Sequence, residues 1–156
     1  MIFLNTRNFY DSEAVLAQIV RPYQSNAAGN IHGGEIIKIM DSAAGAAAMK
    51  YAHSDVVTAR VDELCFKKPI HIGDLVTCTA HVVFVGNSSM ETFVTVESEN
   101  PMTGEKAIAL TAFFTMVSVD EHGVPSKVPP LEIIDEPYIK CLYAAGEKRY
   151  YSHKRK

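Results

Sequence analysis

The chain has 156 residues, 47% of them hydrophobic and 21% charged, which suits one globular domain with a sizeable core and excludes a disordered or fibrous chain. It contains no run of about 18 apolar residues, which argues against a membrane-spanning helix, and its N-terminal MIFLNTRNFYDSEA lacks the basic and long apolar regions of a secretory leader. The net charge of −3 conceals an asymmetry: residues 1–137 carry nine Lys and Arg against seventeen Asp and Glu, residues 138–156 six against one. Three cysteines, Cys65, Cys78 and Cys141, form no framework and fit reduced thiols, hence a cytoplasmic location.

In chain order, VLAQIVR (15–21) predicts a strand that Pro22 ends, followed by QSNAAGNIHGG, a loop of turn formers and glycines. Residues 33–52, GGEIIKIMDSAAGAAAMKYA, predict a long helix. At 100° per residue, Ile36, Ile37, Met40, Ala44, Ala47, Ala48 and Tyr51 share one broad face opposite Glu35, Lys38, Ser42 and Lys50. Asp41 falls at a margin of the apolar face, where a carboxylate calls for an explanation because burying one without a partner is costly.

The rest reads as β. VVTARVDELCF (56–66) alternates, with Val57, Ala59 and Val61 expected on one face, and PIHIGD (69–74) is a turn. LVTCTAHVVFV (75–85) and METFVTVES (90–98) are strands joined across GNSS (86–89). ENPMTGE (99–105) is a second hairpin turn, and AIALTAFFTMVSV (107–119) a further strand. PSKVPPL (125–131) is extended, and DEPYIKCLYAAGEKRYY (135–151) predicts a terminal helix. The last four strands are expected to form an antiparallel meander. With a single substantial helix to cover their apolar faces, the economical architecture is α+β, a curled antiparallel sheet wrapped around one long central helix.

Several chemistries are absent. No P-loop, dinucleotide glycine fingerprint, CxxC, HExxH or GxSxG occurs, and the six histidines lack metal-ligand spacing, so no metal is expected. Basic residues are not interleaved with aromatics along the strands, which argues against nucleic acid. What remains is His32-Gly33-Gly34 at the helix start, where unpaired N–H groups and the dipole favour an anion or a developing oxyanion. The same glycines also permit a tight turn into the helix. Asn26, just upstream, can orient a water, polarise a carbonyl or simply make a turn.

Gly33 and Asp41 are eight residues apart on one helix, hence roughly 12 Å along its axis, whereas reacting atoms must approach to about 3–3.5 Å. Donors and acid therefore come from different chains, with two antiparallel helices placing each Asp41 near the other's Gly33. The expected assembly is a two-fold dimer, itself open to further assembly into a tetramer or hexamer.

The blocks N-A-A-G (26–29), H-G-G (32–34), M-D (40–41), V-V-T-A-R-V-D (56–62), F-K-K-P-I-H-I-G-D (66–74), G-N-S-S-M (86–90) and V-P-P-L (128–131) stand in the order seen in hotdog-fold acyl-CoA thioesterases, and the chain most resembles their cytosolic acyl-CoA hydrolase branch. The resemblance covers roughly residues 12–131 and implies one hotdog domain over 1–131, with 132–156 a helical, basic tail outside it. It implies hydrolysis of an acyl-CoA thioester to free acid and CoA without cofactor, the CoA being part of the substrate. It places catalysis on Asp41 and Asn26, with backbone donors at Gly33 and Gly34 beside His32, and leaves Asp41 either general base or nucleophile. Arg60 and the turn Asn87, Ser88, Ser89 fall where such enzymes approach CoA. Relatives carry a basic residue in place of Asn87, for which Lys67, Lys68 and the tail are substitutes. The alternatives are a hotdog dehydratase or hydratase, with His32 as its histidine, and a non-catalytic acyl-CoA sensor.

Overall fold

The computed structural model describes residues 5–154. Positions 1–4 of the expected domain and 155–156 of the expected tail lie outside the described residues. The elements are β1 (Arg7–Asn8), β2 (Ala14–Ile19), α1 (Gly33–Ala52), β3 (Asp55–Phe66), β4 (Leu75–Val85), β5 (Ser89–Glu99), β6 (Lys106–Val119), β7 (Leu131–Glu132) and α2 (Pro137–Lys154), with single 3-10 turns at Phe9–Ser12 and Pro22–Gln24. The strands β2 to β6 form one antiparallel sheet in the order β2-β4-β5-β6-β3. A two-residue parallel pair, β1 with β7, is too short for the pattern of the chain to reveal.

α1 matches its expected limits because both ends carry explicit signals. The His32 side chain caps the first turn, and His53, in the left-handed region at φ 53°, donates its N–H to the Met49 carbonyl and closes the last. The helix lies on the inner face of the sheet. Ile36, Met40, Ala44, Ala47, Ala48 and Tyr51 are fully buried against residues such as Val76, Val82, Val94, Leu110 and Phe114. The Tyr51 hydroxyl donates to the Pro129 carbonyl at 2.9 Å, tying the strand-free segment 125–130 to the core.

The expected four-strand meander holds only for β4, β5 and β6. β3 pairs with β6 at the far edge rather than with β4. The reason lies in the connection 67–74, which does not close a hairpin: the Ile31 N–H donates to the Ile70 carbonyl, and Asn30 bridges to His71. The connection thus passes beside the start of α1 and spans the three strand spacings, roughly 14 Å, that separate β3 from β4.

A bulge in β3 changes a second expectation. The register steps from Thr58↔Met116 to Arg60↔Thr115, leaving Ala59 extra. Val57 therefore pairs with Val117, whereas Val61 pairs with the core residue Phe114, so the two valines lie on opposite faces. The same step puts Thr58 on the inner face with Met116 and leaves Arg60 and Asp62 on the outer face with Thr115 and Phe113.

α2 covers the outer face. Ile139 and Leu142 pack with Phe9, Val83 and Phe113 in a second apolar cluster. Gly146 allows the close approach, since a Cβ there would stand 2.8 Å from the Phe84 Cβ. Arg149 lies 3.6 Å over the Phe113 ring and pairs with Glu63, while His153 pairs with Asp62 at 2.7 Å.

Beneath α2, Glu91 is 1% exposed, with the Thr115 hydroxyl at 2.9 Å as its side-chain partner. Burial is the main cause that raises its pKa from 4.5 to about 7; the Thr115 hydrogen bond, Arg149 and Arg60 act downward and Asp62 upward. A raised acid stabilises the fold below its unfolded pKa and forfeits that contribution as pH rises towards the folded one. Glu91→Gln should accordingly melt close to wild type near pH 4.5 and above it at pH 8, by an amount worth on the order of 2 kcal/mol. Thermal denaturation across that range tests it, and parallel pH profiles for the two proteins would refute it.

Candidate functional site

The loop before α1 is a small hairpin closed on Asn26. Its N–H donates to the Asn30 carbonyl, and its Oδ1 accepts from the N–H groups of Ala28 (3.0 Å) and Asn30 (3.2 Å). Gly29, at φ 83°, supplies the left-handed step of this turn. With Oδ1 facing two backbone donors, the amide orientation is chemically determined, and Nδ2 is left as the group able to donate elsewhere. Asn26 lines a cavity of about 250 Å³ together with Asn30, Gly33, Phe66 and Lys68.

At the helix start, the His32 Nδ1 accepts the N–H of Gly34 at 3.1 Å. The N–H groups of Glu35 and Ile36 turn back to the His32 carbonyl. Gly33 is thus the first-turn donor with no acceptor among the described residues, at the positive end of a 20-residue helix. Of the glycine pair expected as donors, the structure leaves Gly33 open and commits Gly34 to the cap.

Asp41 lies two turns further on, half-buried at the margin of the helix. Its Oδ1 accepts a short hydrogen bond, 2.6 Å, from the Thr58 hydroxyl on β3. Among the described residues it has no ion pair. Sequence reasoning does not single out Thr58. It stands inside V-V-T-A-R-V-D, but nothing in the spacing relates residue 58 to residue 41; alternation points only to the face opposite Val57.

The expected residues separate into two groups. Lys68 joins Asn26 and Gly33 around the cavity, and Lys67 is beside it, both of these lysine N–H groups donating to the Ala109 carbonyl. Arg60 and the turn Asn87–Ser89 belong instead to the Asp41 end: Met90 pairs with Met116, and Met116 with Thr58, across adjacent strands. The Asn87 carbonyl accepts the Val128 N–H and the Ser88 carbonyl the Ser118 N–H, which makes this turn rigid. One protomer therefore offers hydrogen-bond donors at the N-terminal end of α1 and an oriented carboxylate two turns along the same helix. A carbonyl activated by the first is out of reach of the second within the same chain. No group of side chains able to hold a metal ion occurs among the described residues.

A family model described as the thioesterase superfamily matches residues 28–105. An uncharacterized acyl-CoA thioester hydrolase of Bacillus subtilis is 38% identical over 124 residues, 80% of this chain and 72% of that protein. The cytosolic acyl coenzyme A thioester hydrolase of mouse is 34% identical over 149 residues, 93% of this chain but 38% of that protein, so this chain spans well under half of the mouse enzyme. The crystal structure of an apo-hexameric acyl-CoA thioesterase superposes with a TM-score of 0.91 at 35% identity, covering 96% of each chain.

The cap yields a prediction. His32→Ala removes the acceptor of the Gly34 N–H and should lower unfolding free energy by about 1 kcal/mol, whereas His32→Asn, which restores a side-chain oxygen, should recover most of it. Urea unfolding measures both; equal midpoints for wild type and His32→Ala would show that the cap contributes nothing.

Proposed function

The chain belongs to the hotdog-fold thioesterase superfamily, and from that premise we propose that it hydrolyses acyl-CoA thioesters to a carboxylic acid and CoA at sites shared between two subunits. The observation that carries the reading is the separation, on one helix, of the N-terminal donors from an acid two turns further on. Supporting it, β3 is a 12-residue strand at the edge of the sheet, its outer backbone edge unpaired among the described residues of the protomer, and its Val57, Val61 and Phe66 are exposed. Such an edge is a template for pairing with a second copy. Two β3 strands paired antiparallel bring each Asp41 towards the other chain's Gly33. Further assembly is in keeping with the hexameric relative.

In the proposed reaction the thioester carbonyl accepts from the Gly33 N–H and Asn26 Nδ2. Asp41 of the other chain, oriented by Thr58, either takes a proton from the attacking water or attacks the carbonyl carbon itself. By the first route the tetrahedral oxyanion collapses with loss of the CoA thiolate, which takes up a proton. By the second the C–S bond breaks with loss of the CoA thiolate, which takes up a proton, as an acyl–aspartyl anhydride forms. Water then cleaves the anhydride to the carboxylic acid and the Asp41 carboxylate. The donors stabilise the oxyanion in both. The His32 Nδ1 is engaged at the helix cap, which favours this reading over a histidine-dependent hydratase. A thioester is already electrophilic, so neither metal nor organic cofactor is required. The exposed, unpaired Cys65 and Cys141 suit a reducing compartment, in line with a cytoplasmic enzyme.

Asp41→Asn is expected to fold as wild type and to lose at least ~100-fold in kcat across a panel of acyl-CoA chain lengths. Unchanged thiol release from every substrate would make Asp41 structural. For the shared site, Asn26→Ala and Asp41→Ala chains, each inactive alone, should regain activity when co-refolded. A mixed dimer holds one doubly altered and one intact site, so random pairing restores roughly a quarter of wild-type activity. Persistent inactivity, with mixed dimers verified by mass, would mean that each chain builds its own site.

A further inference from the structure

The last two turns of α2 lie against the turn between β4 and β5. Gly86 has no side chain, and a Cβ there would overlap the Tyr150 ring. Tyr150 also packs on Phe84 with centroids 5.2 Å apart and meets Tyr151 edge to face at 5.2 Å. Lys154 Nζ stands 4.6 Å from the centroid of Tyr150. The register puts Ser89 on the same outer face as Arg60, through Val117 and Thr115 respectively, and this is the face that α2 covers.

The charges in this region are unequally engaged. Arg149 is taken by Glu63 and His153 by Asp62, contacts that anchor the end of α2 to β3. Lys154 has no carboxylate partner among the described residues. The turn itself, Gly86-Asn87-Ser88-Ser89, carries no charge. Tyr151, beside Lys154, is 52% exposed. A cation held by the Tyr150 ring but by no carboxylate, next to the exposed ring of Tyr151, suits a phosphorylated nucleotide, the cation for a phosphate and the ring face for a base. In acyl-CoA the nucleotide is carried away from the thioester on the flexible pantetheine arm, which lets it reach surface beyond the reacting groups. The turn is two strand spacings, roughly 10 Å, from Thr58.

We propose that α2 completes the substrate site: Lys154 receives a phosphate group of the CoA nucleotide and Tyr151 stacks on its adenine. The inference rests on the acyl-CoA reading above. It assigns nucleotide recognition to a helix outside residues 28–105, the segment that the family model matches. The basic end of the chain is then part of the binding surface, not a solvated tail.

The test compares wild type, Lys154→Ala and Tyr151→Ala on acyl-CoA and on the acyl-pantetheine bearing the same acyl group, which lacks the nucleotide. Lys154→Ala should raise KM for acyl-CoA roughly three- to ten-fold at low ionic strength with kcat unchanged, the effect shrinking as salt screens it. Tyr151→Ala should raise the same KM with little dependence on salt. Neither should alter KM for acyl-pantetheine. An unchanged KM for acyl-CoA, or an equal rise on both substrates, overturns the proposal while leaving the hydrolase reading intact. If wild type cleaves neither thioester, the hydrolase reading fails on its own. Calorimetry with free CoA then decides the subsite: weaker binding by Lys154→Ala upholds it, and equal or absent binding overturns it.

Discussion

The closeness of α1 to the sheet is the constraint on which the molecule depends. From residue 43 to 48 the helix carries only alanine and glycine, so the side chains of β4, β5 and β6 meet it almost at the backbone. Close packing of this kind leaves no tolerance for larger groups on the buried face. It also determines what happens at the helix margins. Polar groups are kept off the small-residue face and fall at its edges and its N-terminal end, where the Asp41 carboxylate and the open Gly33 N–H are found.

Two carboxylates show how differently the two faces of the sheet treat charge. Asp41, half-buried on the inner side, receives a short bond from Thr58 and keeps contact with solvent. Glu91, sealed beneath α2, is also served by a threonine hydroxyl, yet burial outweighs that bond and drives its pKa upward. The hydrogen-bonding chemistry is alike. Desolvation acts on Glu91, which thereby stores a pH dependence in the fold, while Asp41 stays at the margin of the helix.

The bulge at Ala59 links the inner and outer faces. By adding one residue to β3 it keeps Thr58 turned towards α1 while sending Arg60 and Asp62 to the side that α2 covers. Without that step Arg60 would share a face with Thr58. The ion pair of Asp62 with α2 is a consequence of the same displacement. That of Glu63 goes with a second irregularity between Asp62 and Cys65, where Glu63 takes φ 50°.

Elements with strong local signals were legible from the chain alone. The limits of α1 are read from its cap and its periodicity, and β4 from a long alternating run bounded by PIHIGD and GNSS. The resemblance carried by the H-G-G, M-D and G-N-S-S-M blocks implied the hotdog architecture. The roughly 12 Å between Gly33 and Asp41 followed from helix geometry. Tertiary structure decided what depends on partners distant in the chain. Which strand takes the edge beside β6 depends on how Ile70 and His71 are tied to the loop before α1. Whether Val61 follows Val57 depends on a bulge that only the pairing with β6 defines. That Thr58 holds Asp41, that Gly34 is spent on His32, and that Tyr150 lies on Gly86 are contacts between side chains whose spacing in the sequence carries no trace of them. Local propensity and periodicity act over a few residues and can be read in order; register and contact are settled by packing the whole chain at once.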